Sequence, residues 1–134
     1  MIVKESLYEH KNTYFKGPSK ERILDSIKNL SLEKKFELAL ENDAYWLIEQ
    51  CLDNGVDPSL FNNRAIRFAS YDGKYDLCLR LLKDPRVDPS ALGNEAIWWA
   101  YEHNHSNVLK ELLKDTRVKN KLNRQQLIKI LSIF

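Results

Sequence analysis

An all-α fold built from repeated helix pairs is predicted by three observations. A segment recurs every 31 residues, turn-forming residues sit at fixed offsets within it, and apolar residues lie at helical spacing between the turns. The segment VDPSLFNNRAIRFASYDGKYDLCLRLLK (56–83) returns as VDPSALGNEAIWWAYEHNHSNVLKELLK (87–114). Without gaps, 11 of 28 positions are identical, against about two for unrelated sequences of ordinary composition. The links agree as well, DPRV at 84–87 and DTRV at 115–118, so Val56, Val87 and Val118 are spaced 31 apart. KFELALENDAYWLIEQCLDNGVDPS (35–59) fits at an offset of 30 up to its link, with Ala39 on Ala69 and Cys51-Leu52 on Leu81-Leu82. After Val118 a further unit begins and runs half way, to Phe134. The expectation is about three helix pairs plus a terminal half repeat.

Each unit reads as helix, turn, helix, tight loop. In Asp57-Pro58-Ser59 and Asp88-Pro89-Ser90 the proline fixes its own φ and pushes the preceding aspartate towards extended backbone, which ends the previous segment. Asn63 and Asn94 are expected to cap first helices that carry Ile66 and Ala69, or Ile97 and Ala100. Gly73 and Asn104 suit the left-handed residue that ends such a helix. The second helices would bury Leu77, Cys78, Leu81 and Leu82, then Val108, Leu109, Leu112 and Leu113. Two short helices cannot cover their apolar faces alone, so stacked pairs share one core, the logic of a solenoid.

At the amino end, PSKERILDSIKNL (18–30) predicts one amphipathic helix capped by Ser19, with Ile23, Leu24, Ile27 and Leu30 as its buried stripe. It is expected to serve as an N-terminal capping helix, with residues 1–17 as a strap or arm ahead of it. Repeats are then expected at about 31–55, 56–86 and 87–117, with the half repeat at 118–134. NRQQLIKILSIF at the other end pairs Asn123 with Gln126 in a capping-box arrangement. Its six apolar residues cover most of the helix circumference, and Ile128, Ile133 and Phe134 are candidates for an oligomer contact.

The 134 residues suit one domain with a working core. A hydrophobic fraction of 43% with 30% charge is ordinary for a folded chain, whereas disorder would need less apolar content and more charge of one sign. The charged start MIVKES argues against a secretory signal, and no apolar run approaches membrane length. Two cysteines, Cys51 and Cys78, are too few for a disulfide framework and read as small buried apolar residues. An intracellular, cytoplasmic protein with no membrane association is expected.

Chemistry-bearing patterns are sparse, so no enzyme and no cofactor are expected. None of the four glycines forms a phosphate cradle, and no nucleophile elbow or Cys–His pairing occurs. His103 and His105 lie two apart, and His10 is remote, so no metal site is expected. Residues 110–134 hold seven basic against two acidic side chains, a local +5 in a chain of +2, which leaves −3 elsewhere. Such a charge run is more often plain solubilising surface; as a site it would suit phosphates, with nucleic acid a weak candidate, and an acidic protein partner fits it as well.

EAIWWAYEHNH (95–105) is the most distinctive stretch. With Ile97 at the centre of the core face, Ala100, Tyr101 and Asn104 fall within about 60° of it, and Trp98 and Trp99 lie on opposite flanks. Periodicity does not separate the two tryptophans.

HNHSNVLKELLK (103–114) is similar to the Gly-His-Leu-Glu-Val-Val-Lys-Leu-Leu-Leu stretch of the ankyrin repeat, with His105 on the family's histidine and Asn104 replacing its glycine. EAIWWAY stands where the family has Thr-Pro-Leu-His-x-Ala-Ala. The tetrapeptide itself is absent, and the period is 31 rather than about 33. The resemblance covers roughly residues 33–134, and the variant resembles repeats encoded by large DNA viruses and some protists. It implies an all-α, ankyrin-like helical-repeat solenoid acting as a non-catalytic protein-protein interaction module. A viral or phage origin would imply interference with a host or defence protein. The resemblance places Trp98 between repeats and Trp99 on the concave groove. The partner-binding surface would then comprise Phe68, Tyr71, Asp72, Trp99, Glu102 and His103, with Phe61 and Leu92 at the loop tips. The alternatives are a structural homo-oligomer, such as a homodimer, through the terminal helix, or weak nucleic-acid binding through the basic patch.

Overall fold

The computed structural model describes residues 19–134. The expected arm at 1–17, Pro18 and His10 lie outside the described residues. Among those described, nine helices and no strand occur, so the chain is all-α. No helix among them is long and apolar enough to cross a membrane. The chain divides into two compact units, one up to Asp57 and one from Pro58 onwards.

The first unit contains α1 (Lys20–Ile27), α2 (Leu32–Glu41) and α3 (Tyr45–Asp53). Ser19 and Ser31 cap α1 and α2, their hydroxyls accepting from the amides of Arg22 and Lys34. Ile23 and Ile27 are buried as expected, and Leu24 is half-buried. Leu30 is exposed: α1 ends at Ile27, and the following turn takes Leu30 off the helical stripe. The α2–α3 pair packs around Phe36, Ala39, Leu40, Leu47, Ile48 and Cys51.

The second unit holds α4 (Leu60–Tyr71), α5 (Tyr75–Leu82), α6 (Ala91–Glu102), α7 (Ser106–Leu112), α8 (Thr116–Asn120) and α9 (Arg124–Leu131). Here α4 packs on α5 and α6, α6 packs on α7, and α5 meets α7. Ile66, Ala69, Cys78, Leu81, Ile97, Ala100, Val108, Leu109 and Leu112 fill the interior. Burial pushes the free Cys51 and Cys78 thiols up to about 11 and about 12, the behaviour of small core residues.

One turn recurs three times. Asp43, Gly73 and Asn104 each take φ near +50 to +70° (51, 68 and 58). The next amide reaches back to a buried alanine carbonyl: Ala44 to Ala39 at 2.9 Å, Lys74 to Ala69 at 2.8 Å, His105 to Ala100 at 2.9 Å. This is the six-to-one hydrogen bond of the Schellman motif. Each alanine is fully buried, which lets the second helix fold back closely on the first.

The start of the first helix differs from expectation. Phe61, Asn62 and Asn63 are all left-handed, as are Leu92, Gly93 and Asn94. Each trio forms one left-handed turn closed by Asn63 N–H on the Ser59 carbonyl, or Asn94 N–H on that of Ser90, both 3.0 Å. The asparagines therefore do not cap their own helices. Asn63 Oδ1 accepts from the Asp88 amide at 2.8 Å, and the buried Asn94 Nδ2 donates to the Val118 carbonyl at 2.9 Å. Each side chain ties its turn to the following link.

Where Asp88-Pro89-Ser90 makes a turn, the equivalent Lys119-Asn120-Lys121 is largely helical, as the end of α8. Without proline, nothing stops the helix. The expected capping box is present at α9: Asn123 Oδ1 accepts from the Gln126 amide at 2.8 Å, and Gln126 Oε1 accepts from the Asn123 amide at 2.9 Å.

Candidate functional site

The expected aromatic surface comes together where α4 meets α6. Phe68 meets the Trp99 ring edge-on at 5.5 Å, and Tyr71 meets it on a second contact at 5.1 Å and 85°. Tyr71 continues to His103 at 4.2 Å, and His103 lies parallel to His105 at 6.2 Å. The contacts zigzag between the two helices because Phe68 and Trp99 are equivalent positions one repeat apart, and Tyr71 follows Phe68 by almost one turn. Phe68 and Trp99 are half-buried, whereas Tyr71 and His103 are exposed. Such rings hold one another's rotamers while keeping part of their surface in water.

Two cations back this row. The Arg64 guanidinium sits 4.7 Å from the Phe68 ring centroid, and that of Arg67 sits 5.7 Å away. Arg67, only 8% exposed, also donates Nη1 to Glu95 Oε1 at 3.0 Å. Its Nε and Nη2 reach the carbonyls of Asn62 and Phe61 at 3.0 and 3.4 Å. One guanidinium thus braces the left-handed turn at the start of α4 and bridges to α6. Sequence periodicity misses Arg67, because it places a charged residue beside Ile66 on the outside. The aligned position in the next unit holds Trp98, so the 31-residue offset does not reveal it either.

The histidines hold backbone. His105 Nε2–H donates to the Tyr71 carbonyl at 2.9 Å, linking the two equivalent turns, and its ring occupies the space where a Gly73 side chain would be. His103 Nδ1–H donates to the Trp99 carbonyl at 2.9 Å and so closes the end of α6. Among the described residues, no three His, Cys, Asp or Glu side chains come together as metal ligands.

Not every candidate joins this row. Asp72 and Glu102 are exposed at the carboxyl ends of α4 and α6, as a rim to the aromatic row. Phe61 and Leu92, also exposed, occupy the left-handed turns at the opposite ends of these helices. From Arg64 to Tyr71, helical rise separates the two groups by about 10 Å. Both tryptophans are half-buried, and they part ways by contact. Trp99 faces α4, whereas Trp98 meets Tyr101 at 5.9 Å, and Tyr101 carries Lys129 Nζ at 5.8 Å. Ile128, Ile133 and Phe134 are exposed on and beyond α9.

No family model, curated protein or solved structure matches the chain.

Proposed function

We propose that the protein is a non-catalytic binding module, an ankyrin-like helical-repeat solenoid that captures a protein partner on the face shared by α4 and α6. The observation that carries this reading is the half-exposed row Phe68–Trp99–Tyr71–His103, with its rotamers already fixed by ring contacts. Large aromatic side chains bring much contact area, and rings that are ordered beforehand lose little entropy on docking. Asp72 and Glu102 supply a polar rim, which is the anatomy of a protein interface. The thrice-repeated turn at Asp43, Gly73 and Asn104 supports the repeat reading.

The test is affinity capture from the native cellular context at moderate salt with wild type, Trp99→Ala and the rim variant Asp72→Lys/Glu102→Lys. The rim residues are exposed, so that variant should melt like wild type. Wild type is expected to retain a specific protein that both variants lose. A partner captured equally by all three would remove this face from consideration.

A further inference from the structure

We propose a second docking surface, on α9, whose occupant is an amphipathic helix with acidic flanks supplied by a partner protein. Four large apolar side chains are exposed together at this end: Ile128 at 59%, Leu131 at 48%, Ile133 at 39% and Phe134 at 53%. Only Ile130 of α9 is fully buried. At the 31-residue offset, Ile128 matches Ile66 and Ile97, and Leu131 matches Ala69 and Ala100. All four of those counterparts are completely buried, where α4 and α6 pack on neighbouring helices. The exposed positions of α9 are thus the ones that this sequence elsewhere covers with a helix.

Charge chooses which helix. Arg124, Ile128 and Leu131 fall at i, i+4 and i+7, on one stripe, and Lys129 flanks it. Lys110 Nζ lies 5.8 Å from the Phe134 ring centroid. Nearby Lys114 and Arg117 are paired with Glu111 and Asp115, whereas Lys110, Arg124 and Lys129 make no ion pair among the described residues. An apolar stripe bordered by unneutralised cations complements a helix with leucine-like residues on one face and carboxylates beside them. A second copy of this chain fits poorly, because a twofold contact would bring these cations against themselves. Nucleic acid would find one stacking ring here, Phe134, while the rest of the patch, Ile128, Leu131 and Ile133, is aliphatic and suits an apolar helix face better than a run of bases.

The experiment is fluorescence anisotropy with a labelled helix-forming peptide carrying leucines on one face and glutamates on the other, and a control with lysines replacing the glutamates. Wild type is expected to bind the acidic peptide saturably and to ignore the basic one. Ile128→Ser/Leu131→Ser, at exposed positions, should weaken binding about tenfold or more. Arg124→Glu/Lys129→Glu should weaken it and flatten its salt dependence. Trp99→Ala should bind this peptide like wild type, which separates the surface from the aromatic face. The proposal is overturned by no saturable binding, or by equal binding of the two peptides. It is also overturned by an oligonucleotide bound more tightly than the acidic peptide, or by sedimentation showing a wild-type dimer that Ile128→Ser/Leu131→Ser dissolves.

Discussion

A methyl group added at Gly73 would run into the imidazole of His105, and it would sit on a backbone with φ of +68°. Gly73→Ala is therefore expected to cost about 1–3 kcal/mol, read from the urea midpoint. Gly93 has a similar φ of +66° but open space around it, so Gly93→Ala should cost only about 1 kcal/mol. In a His105→Ala background the Gly73 penalty should fall to that same level, a non-additivity that isolates the ring contact. A second residue-scale device appears in both links. The Arg86 side chain, by hydrogen bonding, holds the Asp84 carboxyl down at about 2, and Arg117 lowers Asp115 in the same way. Folded values below the ordinary 3.8 mean that the stabilisation is complete above that pH. It fades as pH falls towards the folded value. Asp84→Asn should flatten the acid limb of stability between about pH 4 and 2, measured by urea unfolding across that range.

At the scale of elements, the turns carry the most information. Asp-Pro-Ser, Gly73 and Asn104 were legible in sequence because each residue type has a local backbone reason to be there. The left-handed trios were not, because bulky Phe61 and Leu92 have no local preference for such angles. Their support comes from side-chain hydrogen bonds: Arg67, five and six residues on, holds two carbonyls of the first turn, and Asn63 and Asn94 reach the backbone of Asp88 and Val118 in the following unit. Arg67→Ala should cost about 2–4 kcal/mol, since it strands Glu95 and frees the turn. Amide exchange at Asn63 should then quicken relative to Asn94, whose turn lacks an equivalent arginine. Arg67→Lys should recover little, because one ammonium cannot reproduce a fork spanning three acceptors. The helical α8 was also illegible as a separate element. Its cause, the lack of proline at Asn120, shows only beside Pro89.

For the molecule as a whole, the two cysteines report on the two compact units separately, Cys51 in the first and Cys78 in the second. Both thiols are buried and raised, so a thiol reagent near pH 8 should label the native protein far more slowly than the urea-unfolded chain. Mass spectrometry resolves the two sites, and equal labelling rates across denaturant would mean that the units open together. The aromatic row was only half readable at this scale: the one-repeat offset pairs Phe68 with Trp99, but choosing Trp99 over Trp98 for that face rested on the ankyrin resemblance and not on periodicity. Which apolar residues of the terminal helix are covered was not readable. Ile128, Ile130 and Leu131 are chemically alike, and only packing leaves Ile130 inside and the others in water.

Handedness gives the left-handed turns a further meaning. For a D-amino acid, the angles of Asn62, φ 56° and ψ 45°, are those of an ordinary right-handed residue seen in a mirror. The side chain of Asn62 is exposed, and its described role at the turn is a carbonyl that accepts from Arg67. A chemically synthesised chain with D-alanine at that position would keep the carbonyl and shed a steric penalty that asparagine, tolerant of these angles, holds to about 1 kcal/mol or less. At this point in the chain, the chirality of the natural building block works against the shape it is required to take.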